Sequence, residues 1–300
     1  MIKFSSISII QDMIKKDEQN NLTKSFDRFE CGLLPWTKIV LDQTYPLTEY
    51  NETVAPGEQS TSHPDILQSV PAIKRLVLCS ESPRRQELLR LCGWPFSTSG
   101  QALDENNLIT AIHNAGLATA PAGTLTPVVI ATQTCLALAA AKARAAYLND
   151  QNESGRENIP ATIYIGSDTF IWFENRIIGK PLDDNDARSM LHSLSGKQHQ
   201  VFTAVSILNI QTNKKSPEEY TFLDAAWVTF QPLDDLQRQV IDLYIATGSP
   251  LDKAGAYGIQ DAGSLLVQSI QGDYYTIMGL PVTRLYRQLY PLMEQTPNLN

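Results

Sequence analysis

Residues 76–93 read LVLCSESPRRQELLRLCG, and the fold class can be inferred from this segment. The apolar segment 76–79 predicts a short buried strand. Ser82 and Pro83 are residue types preferred at the N-cap and at the first position of a helix. The leucines that follow recur at helical spacing until Gly93, a residue typical of helix ends. A buried strand followed at once by an amphipathic helix indicates an α/β fold.

The same alternation continues toward the C-terminus. A strand is predicted over 163–173, and the alternating segments 201–210 and 220–230 are typical of paired strands. A polar loop is expected at 149–160. Helices are predicted at about 135–148, 184–194, 232–246 and 281–290.

Residues 1–73 differ in composition from the rest of the chain. They are rich in Gln, Asn, Ser and Thr and end in APGEQSTSHPD, which is typical of loops. We expect an N-terminal extension that is poorly or partly ordered, with a strand-like aromatic piece at 36–41. A single domain would occupy 74–300, with an insertion at about 107–134. The Ala/Thr/Pro-rich part of that insertion, 116–134, is predicted to be a loop.

Charge and cysteine usage narrow the function classes. Asp and Glu number 32 against 24 Lys and Arg, a formal net charge of −8, which argues against a general DNA or RNA binder. A few clustered cations can still bind one small anionic substrate. Cys31, Cys79, Cys92 and Cys135 form no CxxC pair, so we expect reduced, buried thiols in the cytoplasm rather than zinc or disulfides. No apolar run approaches the roughly 20 residues that span a bilayer.

The first candidate site lies where the opening strand meets its helix. The backbone amides of a helix start and the helix dipole attract anions, and Ser80, Ser82, Arg84 and Arg85 add hydroxyl and guanidinium donors. This combination predicts a phosphate cradle. The alternative is an ordinary capped helix with exposed arginines. It is not a P-loop, because the chain contains no GxxxxGK[ST] pattern.

The second candidate site is the segment GSDT at 166–169, at the end of an apolar strand. A carboxylate buried there without a partner costs free energy, so Asp168 is expected to face a metal ion, a cation or backbone amides. It would then hold Mg²⁺ or act as a general base on water. Lys180 follows between Gly179 and Pro181. The alternatives are a turn-capping Asp and a surface Lys.

The third candidate site is the small-residue segment 251–260, LDKAGAYGIQ, which suggests a tight approach of the backbone to another group. Lys253 would offer charge, and Gln260 a donor and acceptor pair able to read a base edge. A structural turn is the alternative. Glu105 and Lys142 are further polar candidates that, taken singly, would be solvated charges.

The histidines do not form a pattern that indicates chemistry. His63, His113, His192 and His199 show no metal-ligand spacing, and no GxSxG elbow is present. We expect structural hydrogen bonding from His192 and His199.

Taken in order, these segments resemble the Maf (septum-formation inhibitor) family of nucleoside triphosphate pyrophosphatases, from about residue 75 to the C-terminus. The matching segments are LVLCSESPRRQELLRLCGWPF (76–96), DEN (104–106), LALAAAKARA (136–145), a stretch that begins IYIGSDTF (163–208) and one that begins YIATGSPLDKAGAYGIQ (244–281). Residues 1–73 have no counterpart in the resemblance.

The resemblance implies a cytoplasmic enzyme with a Maf/ITPase-like, two-lobed α/β fold around a mixed twisted sheet with a central cleft. It implies hydrolysis of a nucleoside triphosphate between the α and β phosphates, assisted by a divalent metal cation, Mg²⁺ or Mn²⁺. The family is often dimeric, so a homodimer joins the nucleotide among the expected partners. No membrane and no nucleic acid polymer is expected.

The resemblance also implies roles for residues. Asp168 stands in the position of the family's catalytic aspartate and would act as general base or metal-linked acid, with Glu105 as a second metal ligand. The remaining matches would bind substrate in the cleft: Ser80, Ser82, Arg84, Arg85, Lys142, Thr169, Lys180, Lys253 and Gln260. Within that set, Arg84, Thr169 and Gln260 resemble the branch that acts on dTTP and UTP.

Two other hypotheses stay open at this point. The first is a catalytically silent nucleotide-binding regulator of cell division, as the family's older name suggests, although the complete set of polar motif residues disfavours it. The second is that residues 1–73 form a partner-docking element that decides where the enzyme acts.

Overall fold

The computed structural model of the protein describes residues 33–45, 47, 74–119, 125–154, 159–211, 214 and 216–293. Its α-helices are α1 (Pro35–Thr44), α2 (Pro83–Arg90), α3 (Glu105–Thr119), α4 (Pro127–Ser154), α5 (Asp184–Leu194), α6 (Asp235–Ile245), α7 (Tyr274–Met278) and α8 (Val282–Met293). Its strands are β1 (Arg75–Leu78), β2 (Ser97–Thr98), β3 (Thr162–Phe173), β4 (Arg176–Ile178), β5 (Gln198–Ile210), β6 (Glu218–Phe230) and β7 (Val267–Gln271).

The strands form one mixed sheet in the order β2-β1-β3-β5-β6-β7, with β4 paired to the far end of β3. β1 is parallel to β2 and β3, and the other pairings are antiparallel. The expected α/β class and mixed sheet are therefore confirmed. The long strands β3, β5 and β6 are its central ribbon.

Two apolar clusters cover the same face of β3 at its two ends. Ile163 and Ile165 pack with β1, α2 and α8, whereas Ile171 and Phe173 pack with α5 and α6. Because side chains on a strand alternate between faces, these odd-numbered residues share one face. The two clusters therefore stand on either side of the middle of β3, which leaves a cleft between two lobes.

Helix α4 covers the opposite face of the ribbon and approaches β3 very closely at Gly166. A Cβ added there would lie 1.9 Å from the carbonyl oxygen of Ala139, so only glycine permits this contact. Ala139, Ala140 and Ala143 are fully buried. Small side chains on both elements thus bring the helix backbone against the strand.

The predicted starts and ends of several helices hold. Ser82 is the N-cap and Pro83 the first residue of α2. The side chain of Asp183 accepts a hydrogen bond from the amide of Asp186 and caps α5, and Gly196 follows with a φ of 69°. These signals are local to the sequence, which explains why they could be predicted.

The prediction of a loop at 116–134, the second part of the insertion, was wrong. Helix α3 runs to Thr119, and α4 begins at Pro127 rather than at 135, so most described residues of 116–134 are helical. Helix α4 also continues to Ser154, through the first half of the polar loop expected at 149–160. Alanine is the strongest helix former, and burial of the alanine-rich face stabilises the rest.

The strand-like piece expected at 36–41 is instead part of helix α1. Its β-branched residues suggested a strand. Pro35 at the first helical position and the buried stripe Thr37, Val40 and Leu41 favour a helix once α3 and α4 are present to pack against it. Most of the predicted extension, residues 1–32 and 48–73, lies outside the described residues, as does the expectation for Cys31.

One helix is longer and more apolar than the sequence analysis allowed. Residues Pro127–Glu153 of α4 are long and apolar enough to cross a membrane by length and hydropathy alone. However, 83% of the most apolar window of that helix is buried inside the fold. This is the pattern of a core helix packed on a sheet.

Three cysteines behave as expected. Cys79, Cys92 and Cys135 are free and buried. Burial raises the pKa of the Cys92 thiol to about 11 and moves the pKa values of the other two thiols in the same direction. All three are therefore protonated, unreactive thiols at neutral pH.

Candidate active site

Among the described residues, no strand pairs with one edge of the middle of β3. On that side of β3, β1 pairs as far as Ile165, and β4 pairs only from Ile171 onward. On the other side, β5 pairs with β3 without a break. The gap lets side chains from both faces of β3 reach one space, although Asp168 points to the α4 face and Thr169 to the opposite one.

A cavity of about 340 Å³ opens at this gap. Of the eleven polar residues predicted from the sequence, ten line the cavity. The eleventh, Ser80, is not among the lining residues. The lining residues from that set are Ser82, Arg84, Arg85, Glu105, Lys142, Asp168, Thr169, Lys180, Lys253 and Gln260. Their convergence was expected from the resemblance, and the roles assigned to them stay predictions.

Asp168, Lys142 and Glu105 form the charged centre on the α4 face. Nζ of Lys142 lies 2.7 Å from Oδ1 of Asp168 and 3.1 Å from Oε1 of Glu105. Burial alone lowers the pKa of Lys142, but the Asp168 carboxylate outweighs it and the net shift is upward. Lys142 is therefore a cation that ties two carboxylates together. It follows Ala139 by one helical turn, so the close approach at Gly166 puts it within reach of Asp168.

Arg85 joins the start of α2 to β3 and to Gly279 through three hydrogen bonds. Its Nε donates to the carbonyl oxygen of Gly279 at 2.9 Å, its Nη1 to Oγ of Ser80 at 3.3 Å and its Nη2 to Oγ1 of Thr169 at 3.1 Å. Oγ of Ser80 also accepts from the amide of Ser82. Burial lowers the pKa of Arg85, and the charge of Asp168 opposes that shift. Ser80 thus shapes the turn. Among the described residues, two of the five N–H groups of Arg85 have no acceptor and could bind a ligand.

The hydrogen bonds around the hydroxyl of Thr169 fix the direction in which it donates its proton. Oγ1 of Thr203 donates its one proton to the carbonyl oxygen of Thr276 at 2.7 Å. The 2.9 Å contact between Thr169 and Thr203 must then use the proton of Thr169. Since Thr169 also accepts from Arg85, its remaining lone pair can only accept a further hydrogen bond. Thr169 therefore presents an acceptor to the cavity.

Lys253 belongs to a tightly built loop. Its side chain is only 8% exposed, and Nζ contacts the carbonyl oxygen of Ser249 at 2.6 Å, Oδ1 of Asp252 at 2.6 Å and Oδ2 of Asp261 at 3.5 Å. A Cβ on Gly258 would lie 2.7 Å from Cε of Lys253. The tight backbone approach predicted for 251–260 is confirmed, and at Gly258 the group approached is the side chain of Lys253.

The same loop is joined to the segment that carries Lys180. The amide of Gly255 donates to the carbonyl oxygen of Gly179 at 2.8 Å. Gly255 has a φ of 67°, and a Cβ there would lie 2.3 Å from Cδ1 of Ile171. This contact places Lys180 and Lys253 on the same wall of the cavity.

Sequence reasoning missed the apolar wall of the cavity. It consists of Ile171, Ile177, Ile178, Val201 and Ile259. These residues come from three strands and a loop, so no spacing along the chain indicates that they meet.

Tyr257 was also missed, and a histidine explains its position. Nε2 of His199 lies 2.8 Å from the hydroxyl of Tyr257, and burial lowers the pKa of His199 to about 3. His199 is 1% exposed and neutral, which confirms its structural role. Tyr257 in turn packs on the ring of Phe230 and lines the cavity.

The comparison with known families settles which family this site belongs to. A family model described as Maf-like protein matches residues 75–292, which include every candidate residue of the cavity. The chain belongs to the Maf family. Helix α1 lies before the matched region, so it is an addition of this chain to the Maf-like part.

Curated Maf relatives from Bacillus are similar over the same part of the chain. A protein named dTTP/UTP pyrophosphatase from Bacillus cereus (strain ATCC 10987 / NRS 248) is 38% identical over 217 residues, which are 72% of this chain and 89% of that protein. Proteins of the same name from Bacillus cytotoxicus and Bacillus thuringiensis subsp. konkukian are also 38% identical, over 72% of this chain and 95% of theirs.

Proposed function

We propose that this Maf protein hydrolyses dTTP and UTP between the α and β phosphates, which releases the nucleoside monophosphate and pyrophosphate. The observation that carries the proposal is the pairing of Asp168 with Lys142 in a cavity whose other walls present further cations. The relatives named dTTP/UTP pyrophosphatase support the same activity. By hydrolysing these and modified pyrimidine nucleotides, the enzyme would prevent their misincorporation into nucleic acid.

The charges of the cavity suit a triphosphate. A bound triphosphate brings about four negative charges, so its site needs several cations even in an acidic protein. Arg84 and Arg85 lie at the start of α2, and Lys180 and Lys253 lie on two loops that also line the cavity. Together they would hold the phosphate chain across the gap in β3.

The chain's own residues would carry the proton transfer. Lys142 engages Oδ1 of Asp168, which fixes the carboxylate, and Oδ2 would accept the proton of the attacking water. The water then attacks the α phosphorus, the bond to the bridging oxygen breaks, and pyrophosphate leaves. Arg85 would stabilise the charge that develops on the phosphate oxygens. No covalent intermediate with the protein is needed.

The donor set is compatible with a divalent cation. Among the described residues no three His, Cys, Asp or Glu side chains cluster, but Asp168 and Glu105 meet at Lys142. Mg²⁺ is commonly held by one or two carboxylates together with substrate phosphates, so this pair fits it. Asp168 and Glu105 would hold Mg²⁺ or Mn²⁺, which supplies positive charge to the phosphate oxygens and the leaving pyrophosphate.

Base selectivity would come from three side chains. The free lone pair of Thr169 complements a hydrogen-bond donor, such as the N3–H of uracil and thymine, whereas N3 of cytosine is itself an acceptor. Gln260 would read a base edge, and Arg84 would orient the nucleotide. The apolar wall around Ile171 and Ile259 offers contact area for the base.

The same observations support a proposal for the cellular location and the partners of the enzyme. The buried, protonated thiols and the nucleotide substrate favour the cytoplasm. The net charge of −8 disfavours a nucleic acid polymer as partner, and no membrane is needed. A homodimer is the assembly to test, by sedimentation of the full chain.

A panel of ordinary and modified nucleoside triphosphates with product identification tests the proposal. Pyrophosphate and the monophosphate are expected from dTTP and UTP when Mg²⁺ or Mn²⁺ is added. Orthophosphate as the sole phosphate product would refute the proposal. Nucleotide binding without turnover would favour the silent regulator instead, which no feature of the cavity favours.

A further inference from the structure

Helix α1 is packed into the fold although it lies outside the Maf-like region. Val40 and Leu41 join one apolar cluster with Leu108 and Ile112 of α3. The same cluster contains alanines and a leucine of α4: Ala137, Leu138, Ala140 and Ala141. Helix α1 therefore covers the junction between α3 and α4.

The C-terminal end of α1 is held by a buried arginine of α4. Arg144 is 1% exposed, and its Nη1 donates to Oδ1 of Asp42 at 2.8 Å and to the carbonyl oxygen of Tyr45 at 3.1 Å. Its Nε and Nη2 donate to the carboxylate of Glu219 in β6 at 2.9 and 2.6 Å. Burial lowers the pKa of Arg144, but the bonds to Glu219 and Asp42 outweigh it and raise the pKa. A buried charge held on both sides costs much free energy when a partner is lost.

The N-terminal end of α1 is held at a second point. Oε1 of Gln133 in α4 accepts from the amide of Leu34 at 2.8 Å and from Oγ1 of Thr37 at 3.1 Å. Gln133 and Thr37 are fully buried. With both ends attached to α4, α1 has one defined position over α3.

This position matters because α3 begins with Glu105. Tyr45, the residue after α1, lies close to that first turn: burial raises its pKa, and the negative charges of Asp104 and Glu105 raise it further. The apolar face of α3 contacts α1 as well as α4, so α1 fixes where the first turn of α3 sits.

We propose that α1, through the pairing of Asp42 with Arg144, positions Glu105 against Lys142 at the charged centre of the cavity. The inference rests on the proposed function in so far as Glu105 serves hydrolysis. Asp42 is then a positioning residue, since it acts through Glu105 and touches no substrate. On this reading the residues of α1 belong to the enzyme itself rather than to a separate docking segment.

A double-mutant cycle in the full chain tests the proposal. Asp42→Ala is the suitable change because Asp42 is half-exposed and Arg144 keeps its two bonds to Glu219, so the variant is expected to fold. We expect kcat for dTTP to fall about tenfold with a smaller change in KM, below the roughly 100-fold that a misplaced catalytic group can cost. In a Glu105→Gln background, the same change should lower kcat less than twofold.

The matched control is Asp242→Ala. Asp242 forms a 2.9 Å ion pair with Arg188 between α5 and α6, and neither residue lines the cavity. The substitution is therefore expected to leave kcat unchanged. Equal losses from Asp42→Ala in both backgrounds would overturn the proposal, because Asp42 would then act independently of Glu105. Unchanged kcat in the single variant would also overturn it.

Amide hydrogen exchange over residues 105–112 supplies a readout that does not depend on activity. Faster exchange in Asp42→Ala, but not in Asp242→Ala, is expected, and unchanged exchange would overturn the proposal. If the unaltered protein released no pyrophosphate from any nucleotide, the proposed function would fail. The exchange measurement would still decide whether α1 holds the first turn of α3.

Discussion

The two faces of β3 meet the same cavity but carry different chemistry. On the α4 face, Asp168 is held by Lys142, which also forms an ion pair with Glu105. On the opposite face, Thr169 is held by a chain of hydrogen bonds that fixes the direction of its proton. Adjacent residues of one strand can therefore serve different tasks: Asp168 would move protons, and Thr169 would discriminate ligands.

The largest expected effect on kcat comes from a substitution on the α4 face of β3. Asp168→Asn removes the proton acceptor but keeps the size of the side chain, so kcat for dTTP should fall by about 10³-fold or more, within the range general bases contribute. Pyrophosphate release under saturating substrate measures it, with Asp242→Asn as a surface control. Near-normal kcat would assign the base to another group.

The close approach of α4 to β3 can be broken at Gly166. In Gly166→Ala, the added Cβ would meet the backbone oxygen of Ala139, so we expect α4 to shift away from β3 and to displace Lys142 from Asp168. We expect a loss of roughly 1–3 kcal/mol of unfolding free energy and a fall in kcat of about 100-fold. Chemical denaturation and turnover measure both. Gly179→Ala is the stability control, since a Cβ there meets nothing within 4 Å; equal stability of the two variants would contradict the packing argument.

The opposite face can be tested at Thr169 without removing charge. Thr169→Val abolishes both hydrogen bonds of the hydroxyl, whereas Thr169→Ser keeps them. We expect kcat/KM for UTP to fall about tenfold in the Val variant, as expected for a lost hydrogen bond of ordinary strength, with little change for CTP. The ratio of kcat/KM for UTP to that for CTP is the measured quantity. An equal loss for both nucleotides would mean that Thr169 does not read the base.

The smallest effect at neutral pH is expected on stability, from His199, which forms a hydrogen bond with Tyr257. Burial lowers the pKa of His199 from 6.5 to about 3, so the unfolded chain binds a proton between these values and the folded chain does not. Stability is therefore lost as pH falls below about 6.5, by about 1.4 kcal/mol per pH unit from this group. His199→Gln keeps a polar partner for Tyr257 and should flatten that acid slope in denaturation experiments. His192→Gln, on α5, is the control, and an unchanged slope in His199→Gln would contradict the assignment.

Local signals explain most of what could be predicted. The strand, N-cap and proline at 76–83 depend on neighbours along the chain, and they are found as expected. The candidate residues from Ser82 to Gln260 were predicted by residue type and by resemblance, and the cavity brings ten of them together. The prediction of a loop at 116–134 was wrong because helix formation there depends on burial against β3 and β5.

The α/β class, the family and the chemical types of the polar residues could be inferred from the sequence, because they depend on local patterns. Which of these residues meet depends on how the chain folds. From the sequence alone, Lys142 would be a solvated charge. In the fold it forms ion pairs with Asp168 and Glu105, because Gly166 lets α4 approach β3 closely. In the part of the chain that the structure describes, β1 and β4 leave a gap along one edge of β3, and the cavity opens at that gap. Contacts between distant segments depend on packing and register, which no short stretch of the chain specifies.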